Sequence, residues 1–286
     1  MSIKIGSTID VPPLLPGQIV SLPGRGEIFV RHHQHDDPNA PTVLLLHGWT
    51  ASSDVNFFTA YETLSQAYSI VGVDHRGHGR GLRPNRPFSL EDCADDAAAV
   101  VRSLGVKSVV AVGYSMGGPI TLLLWQRHRD LVKGMVLQAT SLEFSGTRKE
   151  RLSWRFIVPM SRWFGRPRLL RWGIKRIIPR GHEMARYVPW LMGEMRRNDA
   201  WMIGEAATAL SKFDARGFAH TVDVPTSFVI TTGDRSVPPE KQAEFAAAVR
   251  ATVVEFHADH MGTLDRPREY AAAMRESVDA VIQQIR

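Results

Sequence analysis

No stretch constrains this chain more than Gly113-Tyr114-Ser115-Met116-Gly117, which follows the apolar run 108–112 and precedes a second apolar stretch. That order reads as strand, sharp turn and helix, with a serine at the apex. A turn so tight holds the serine in a strained backbone conformation, and the residues two places away on either side must then be glycine or nearly as small. The hydroxyl is thereby presented bare, at the end of a strand.

The rest of the chain supplies a sheet around that turn. Residues 42–46 and 69–73 are apolar on both faces and end in His47-Gly48 and Asp74, and 132–138, 226–231 and 252–256 extend the series. Runs of this kind suit parallel strands covered by helices. Helical stretches are expected at about 57–66, 90–104, 119–128, 239–249 and 267–284, with Pro239 and Pro267 at first-turn positions, where a missing amide hydrogen is tolerated. Two earlier runs, 18–22 and 27–32, are separated by Pro23-Gly24-Arg25-Gly26 and read as a hairpin ahead of the parallel series. Alternating strand and helix predicts an α/β fold. The alternation stops after 138, and to about His220 there is helix-like material punctuated by Pro159, Pro167, Pro179 and Pro189. The expected division is therefore a sheet core over 1–140 and 221–286, with a helical cap over 141–220.

At 286 residues the chain can bury roughly three-quarters of its unfolded surface as one large domain carrying an insertion. Its single cysteine, Cys93, excludes an internal disulfide and lies among acidic residues that disfavour a thiolate, so it reads as structural. The first thirty residues show no secretory pattern, and no apolar run approaches the roughly 18 residues needed to cross a bilayer. A soluble, cytoplasmic protein is expected, with attachment to a membrane surface left open.

A serine hydroxyl needs a base to take its proton, and the base needs an acid to fix its tautomer. Asp234 follows the strand 226–231, and His260 follows the strand 252–256. The order Ser115, Asp234, His260 is the one expected when each residue sits on the loop after a sheet strand. Rivals exist for the supporting roles: Glu143 as the acid, with Asp259 and Asp265 close to the histidine in sequence, and His257 as the base. Negative charge developing on a carbonyl oxygen would meet the backbone amides of Met116 and Trp49, Gly48 allowing the latter loop to turn inward. The run Asp74-His75-Arg76-Gly77-His78-Gly79 lacks a third clustered metal ligand and reads as a tight turn. His32, His33 and His35, followed by Asp36-Asp37, read as an exposed loop. Neither a metal nor a cofactor is expected, since no Gly-rich phosphate loop follows a strand.

Taken together, His47-Gly48-Trp49, the run 74–79, the serine turn 113–118, Gly233-Asp234 through Pro238, and His260 resemble the α/β-hydrolase superfamily over almost the full length. The serine at the apex resembles the esterase and lipase branch. The resemblance implies a mostly parallel eight-stranded sheet and a cofactor-independent serine hydrolase acting on carboxylic esters with an apolar acyl group. The same apparatus serves carbon–carbon bond hydrolases of ring-cleavage products, perhydrolases and acyltransferases. A non-enzymatic ligand-binding protein with this fold is a further alternative.

The net charge of +6 is not spread evenly, because 141–220 holds 16 Lys or Arg against 7 Asp or Glu, and five of the seven tryptophans. Among its aromatics are Trp154, Phe156, Trp163, Phe164, Trp172, Tyr187, Trp190 and Trp201. They are interleaved with Arg151, Arg155, Arg162, Arg166, Arg168, Arg171, Lys175, Arg176 and Arg180. The favoured reading packs the aromatics onto the sheet domain as a pocket roof while the arginines stay wet. The other lays a basic, aromatic face on an anionic membrane. Nucleic acid is not an expected partner, since a catalytic edge gives no groove for it.

Overall fold

A computed structural model gives the architecture and describes residues 9–161, 163, 167–179 and 181–285. Eight strands form one sheet: β1 (Gly17–Leu22), β2 (Gly26–His33), β3 (Thr42–Leu46), β4 (Ser69–Val73), β5 (Val109–Tyr114), β6 (Val132–Gln138), β7 (Thr226–Thr231) and β8 (Thr252–Phe256). Their spatial order is β1-β2-β4-β3-β5-β6-β7-β8. The hairpin strands β1 and β2 pair antiparallel, β2 meets β4 antiparallel, and every later pairing is parallel. This is the mostly parallel eight-stranded sheet that the apolar runs predict.

The helices are α1 (Ser53–Ser65), α2 (Leu90–Ser103), α3 (Gly117–Arg127), α4 (Arg148–Ser161), α5 (Pro167–Ile177), α6 (Val188–Met195), α7 (Ala200–Lys212), α8 (Pro239–Ala248), α9 (Gly262–Asp265) and α10 (Pro267–Ile285). Strand alternation splits the core. Val43, Leu45, Val110 and Val112 face α1 and α10, whereas Leu44, Leu46 and Ala111 face α2, α3 and α8. Cys93 is buried in the second layer, and burial pushes its thiol well above the ordinary range, in keeping with a structural role. Between β6 and β7 the chain leaves the sheet to form α4 to α7. Among the described residues no helix is long and apolar enough to cross a membrane.

Two expectations need correction. His32 and His33 are not loop residues: they end β2, where the antiparallel ladder to β4 continues through His32–Val71 and His33–Ile70. Both are half-buried, and only His35 lies beyond the strand. Backbone pairing decides the conformation here, and the polar side chains sit at the sheet's margin without opposing it. Packing onto the sheet domain is seen for Tyr187 and Trp190, which are buried with their rings edge-on to Phe58, and inward packing in part for Trp154, whose indole N–H donates to Phe144 O at 2.6 Å. The pocket-roof reading fails for Phe156, Trp163 and Trp172, all more than half exposed, and Trp201 is 39% exposed. The helix face that packs inward is already filled by half-buried Trp154, Ile157 and Val158 on α4 and by Leu170 and Ile174 on α5. Arg162, Phe164, Arg166 and Arg180 lie outside the described residues.

Candidate active site

In open sheets of this kind ligands collect beyond the carboxyl ends of the strands, where the strand order reverses. Here the reversal falls at β3, which has β4 on one side and β5 on the other. The serine turn stands at that place. Ser115 has φ +53°, a left-handed conformation that costs energy for a side chain, and its N–H donates to Gln138 O on β6 at 2.9 Å. The flanking glycines are required by contact: a Cβ on Gly113 would lie 2.3 Å from Gly117 O, and one on Gly117 would lie 1.9 Å from Leu46 O. Helix α3 therefore starts immediately after the serine and packs directly on the ends of β3 and β5.

The loops after β7 and β8 bring Asp234 and His260 to the same edge. His260 Nε2 lies 3.1 Å from Ser115 Oγ, and His260 Nδ1 lies 2.7 Å from Asp234 Oδ2. A carboxylate can only accept, so Nδ1 carries the proton and Nε2 is left with its lone pair toward the hydroxyl. Asp234 is fully buried, and its Oδ1 accepts the N–H groups of Ser236 and Val237, both at 2.8 Å. Gln242, in α8, donates to Asp234 Oδ2 at 3.3 Å and to Val237 O at 2.8 Å while accepting Thr231 N–H at 2.9 Å. The histidine is held from behind as well. Tyr114 O–H donates to His260 O, and His260 N–H donates to Asp259 Oδ1 at 2.7 Å. Burial, with the nearby charges of Asp234 and Asp259, pushes the Tyr114 phenol well up, which keeps it a neutral donor.

The rival residues are engaged elsewhere. Glu143 pairs with Lys241 Nζ at 2.7 Å and accepts Ser145 N–H, His257 contacts Thr232 Oγ1, Asp265 is exposed, and Asp259 accepts backbone N–H groups of Arg235 and His260.

On the other side of the serine, the loop after β3 comes close because Gly48 has no side chain: a Cβ there would lie 3.1 Å from Ser115 Cβ. Gly48 N–H donates to Asn56 Oδ1 at 2.8 Å, which fixes the loop against α1. Trp49 follows at once and sends its indole N–H to Ile203 O on α7 at 3.0 Å, so its ring is tied to the helical insert. Thr50, on the same loop, takes φ +65° and is, with Ser115, a second strained residue near the site. Met116 caps the amino end of α3, with its side chain buried.

Behind this loop lie three buried imidazoles. His47 Nε2 accepts His75 N–H at 2.9 Å, which puts the His47 proton on Nδ1, facing Gly48 O at 2.7 Å. Burial, reinforced by His75 and His78, holds His47 well below the usual imidazole range. The same cause lowers His75 to about 3 and His78 to about 4. Asp74 accepts Ser53 N–H at 2.7 Å and Arg80 N–H at 2.8 Å, and burial raises it to about 6. The run 74–79 is thus a tight architectural turn, as its glycines imply.

Sequence reasoning missed Asn56, Gln242 and Tyr114. Asn56 follows Ser53 and Asp54 in a stretch that reads as loop, and Gln242 sits in a polar-looking segment, so neither gives a signal.

Between the insert and the loops that carry Thr50 and Met261 lies a cavity of about 440 Å³. Thr50, Met261 and Leu264 line it from the sheet side, and Leu170, Ile174 and Leu191 from the insert. Thr50 belongs to the Gly48 loop and Met261 follows His260, so the cavity adjoins both arms of the site. Its walls are almost wholly apolar.

An eight-stranded sheet of this order, with serine, aspartate and histidine on the loops after β5, β7 and β8, defines a class of fold, and comparison gives it a name. Residues 41–166 match the family described as alpha/beta hydrolase fold, and the chain has that fold over nearly its whole length. Among curated proteins it is similar to the AB hydrolase superfamily protein YisY of Bacillus subtilis, 30% identical over 120 residues, or 41% of this chain and 43% of that protein. It is also similar to the bifunctional esterase/perhydrolase DCH of Acinetobacter calcoaceticus, 40% identical over 80 residues, or 28% of this chain and 29% of that one. The aligned stretches thus span less than half of either relative. Over nearly the whole chain the fold matches an esterase from Exiguobacterium antarcticum, with TM-score 0.79 and 20% identity, covering 92% of this chain and 100% of that one.

Proposed function

We propose that the protein is a serine hydrolase that cleaves carboxylic esters with an apolar acyl part through an acyl-enzyme on Ser115. The observation that carries this reading is the unbroken chain of contacts from Ser115 Oγ to His260 Nε2 at 3.1 Å and from His260 Nδ1 to Asp234 at 2.7 Å. In this reading 1–140 and 221–286 form the catalytic core, and 141–220 forms a cap that closes the acyl pocket.

The chemistry follows from those contacts. His260 Nε2 takes the hydroxyl proton as Ser115 Oγ attacks the ester carbonyl, and buried Asp234 stabilises the imidazolium that results. The carbonyl oxygen becomes an oxyanion, which the backbone N–H groups of Trp49 and Met116 receive; each such donor lowers the barrier by about 3 kcal/mol. As the tetrahedral intermediate collapses, His260 returns the proton to the leaving alcohol. Water then attacks the acyl-enzyme with His260 as base, and the carboxylic acid leaves Ser115 free. The apolar cavity supports an apolar acyl group, because its walls offer little to pair with a charged one.

A fluorophosphonate probe should label the wild-type chain at Ser115. The substitution Ser115→Ala should abolish both labelling and turnover of p-nitrophenyl esters while the protein stays folded. Turnover retained by Ser115→Ala would overturn the mechanism. Rates across a series of acyl chain lengths would then size the pocket. A perhydrolase reading is favoured by one observation, the likeness to a bifunctional esterase/perhydrolase. It uses the same acyl-enzyme, with hydrogen peroxide replacing water, and is tested by assaying peracid formation in the same ester reaction.

A further inference from the structure

The cap helices α4 and α5 turn a row of large apolar side chains outward. On α4, Leu152, Phe156 and Met160 recur every four residues and so share one face, and Phe156 is 62% exposed. On α5, Trp172 is 63% exposed, with the Arg176 guanidinium 5.0 Å from its ring. The two rows meet, since Met160 and Trp172 both line the apolar cavity. Exposed apolar patches of this kind mark surfaces that something covers.

Charge says what covers this one. Arg148, Arg155, Arg168, Arg171, Lys175 and Arg176 surround the apolar row and are all exposed. None of these six forms an ion pair among the described residues. Glu150, the acidic residue in α4, is occupied by Lys241 of the core. A second copy of the same face would bring these cations together and repel. A nucleic acid would satisfy the cations but leave Leu152, Phe156 and Met160 in water. Anionic headgroups around acyl chains satisfy both, and an indole stacked under a guanidinium suits the boundary between them.

We infer that α4 and α5 dock this protein on the surface of an anionic lipid bilayer, with Leu152, Phe156, Met160 and Trp172 entering the acyl region and the arginines and lysines binding headgroup phosphates. The docking goes beyond the ester-hydrolase reading and does not depend on it. Its consequence for substrate does rest on that reading: the cavity then opens toward the bilayer, and esters of amphiphiles can enter without crossing water.

The test uses the full chain carrying Ser115→Ala, so that no lipid is consumed, floated with vesicles of equal parts phosphatidylcholine and phosphatidylglycerol. Expected is flotation with these vesicles and not with pure phosphatidylcholine, with a blue shift of tryptophan emission and weakening as salt rises. Adding Arg171→Gln and Lys175→Gln should weaken the partition about twenty-five-fold, since each cation contributes about fivefold. Phe156→Ser should weaken it about tenfold, the loss expected for an aromatic side chain that no longer leaves water. Arg171, Lys175 and Phe156 do not line the cavity, so in the wild-type background these changes should leave turnover of soluble p-nitrophenyl esters unaltered, which reports an intact fold. Absence of flotation, equal flotation with neutral vesicles, or binding that survives both sets of substitutions would overturn the inference. So would self-association or retention of duplex DNA that the same substitutions abolish while vesicles are ignored. Failure of the ester-hydrolase reading would be seen separately, as absent turnover and labelling in the wild type.

Discussion

Asn56 is the smallest part of the site with a separable effect. Its side-chain oxygen accepts the Gly48 N–H at 2.8 Å inside a buried region, and among the described residues no other group accepts that amide in the loop leading to Trp49. Removing the acceptor leaves a buried donor without a partner, at a cost of about 1 to 3 kcal/mol, and frees a loop whose next residue is proposed to receive the oxyanion. Asn56→Ala should therefore lower kcat for a soluble ester by about tenfold while KM changes little, because the acyl pocket is built from other residues. Steady-state kinetics over a range of ester concentrations check this. A rise in KM alone would assign Asn56 to substrate binding. Gln242 acts in the same manner on the other arm, bridging Asp234, Thr231 and Val237 so that the carboxylate cannot turn away from His260.

Elements in this fold tolerate or forbid a methyl group according to what they press against. Helix α3 begins directly on the end of β3, where a Cβ at Gly117 would lie 1.9 Å from Leu46 O. Gly117→Ala should destabilise the protein by about 3 kcal/mol or more, since backbone must move to admit it. Gly193, exposed within α6, has nothing within 4 Å of its would-be Cβ, and Gly193→Ala should raise stability by about 0.5 to 1 kcal/mol. Denaturant midpoints of the two variants should shift in opposite directions. The same elements explain what could be read in advance. Strands apolar on both faces were legible because no other element suits such runs, and Ser115, Asp234 and His260 were legible from their order after strands. The sequence places helix α1 four residues late, at 57, because Ser53, Asp54 and Asn56 look like loop residues. In fact Ser52 caps the helix through Val55 N–H, and those polar groups are buried against Asp74, Arg31 and Gly48. Which face of α4 and α5 points outward could not be read, since composition gives the residues and not the packing that chooses among them.

Over the whole molecule, the helical insert is fastened to the site by polar contacts from several elements. Arg80 reaches buried Glu194 at 2.8 Å, Asn198 donates to Thr50 O at 2.6 Å and accepts Gly79 N–H at 2.9 Å, and Asp199 N–H donates to Gly77 O at 2.8 Å. The turn over 74–79 thus joins insert, Gly48 loop and core, and it rests on the buried, neutral rings of His47, His75 and His78. Those rings make the assembly sensitive to acid. His75 and His78 titrate near 6.5 when unfolded but at about 3 and about 4 in the folded protein, so below 6.5 the unfolded chain binds protons that the folded one refuses. Each should lower stability by about 2 kcal/mol between pH 7 and pH 5, and His47 acts in the same direction. Asp74 works the other way. Raised to about 6, it binds a proton in the folded state first and returns about 1 kcal/mol over the same interval. His75, His78 and Asp74 together give an expected loss of about 3 kcal/mol on acidification to pH 5, which His47 enlarges, measured as ΔG from urea unfolding at each pH. His78→Asn places an amide nitrogen where Nδ1 now meets Arg76 O at 2.8 Å and removes one titrating ring. Its loss over the interval should be smaller than wild type by about 2 kcal/mol. A variant that loses as much as wild type would move the acid sensitivity away from the buried imidazoles.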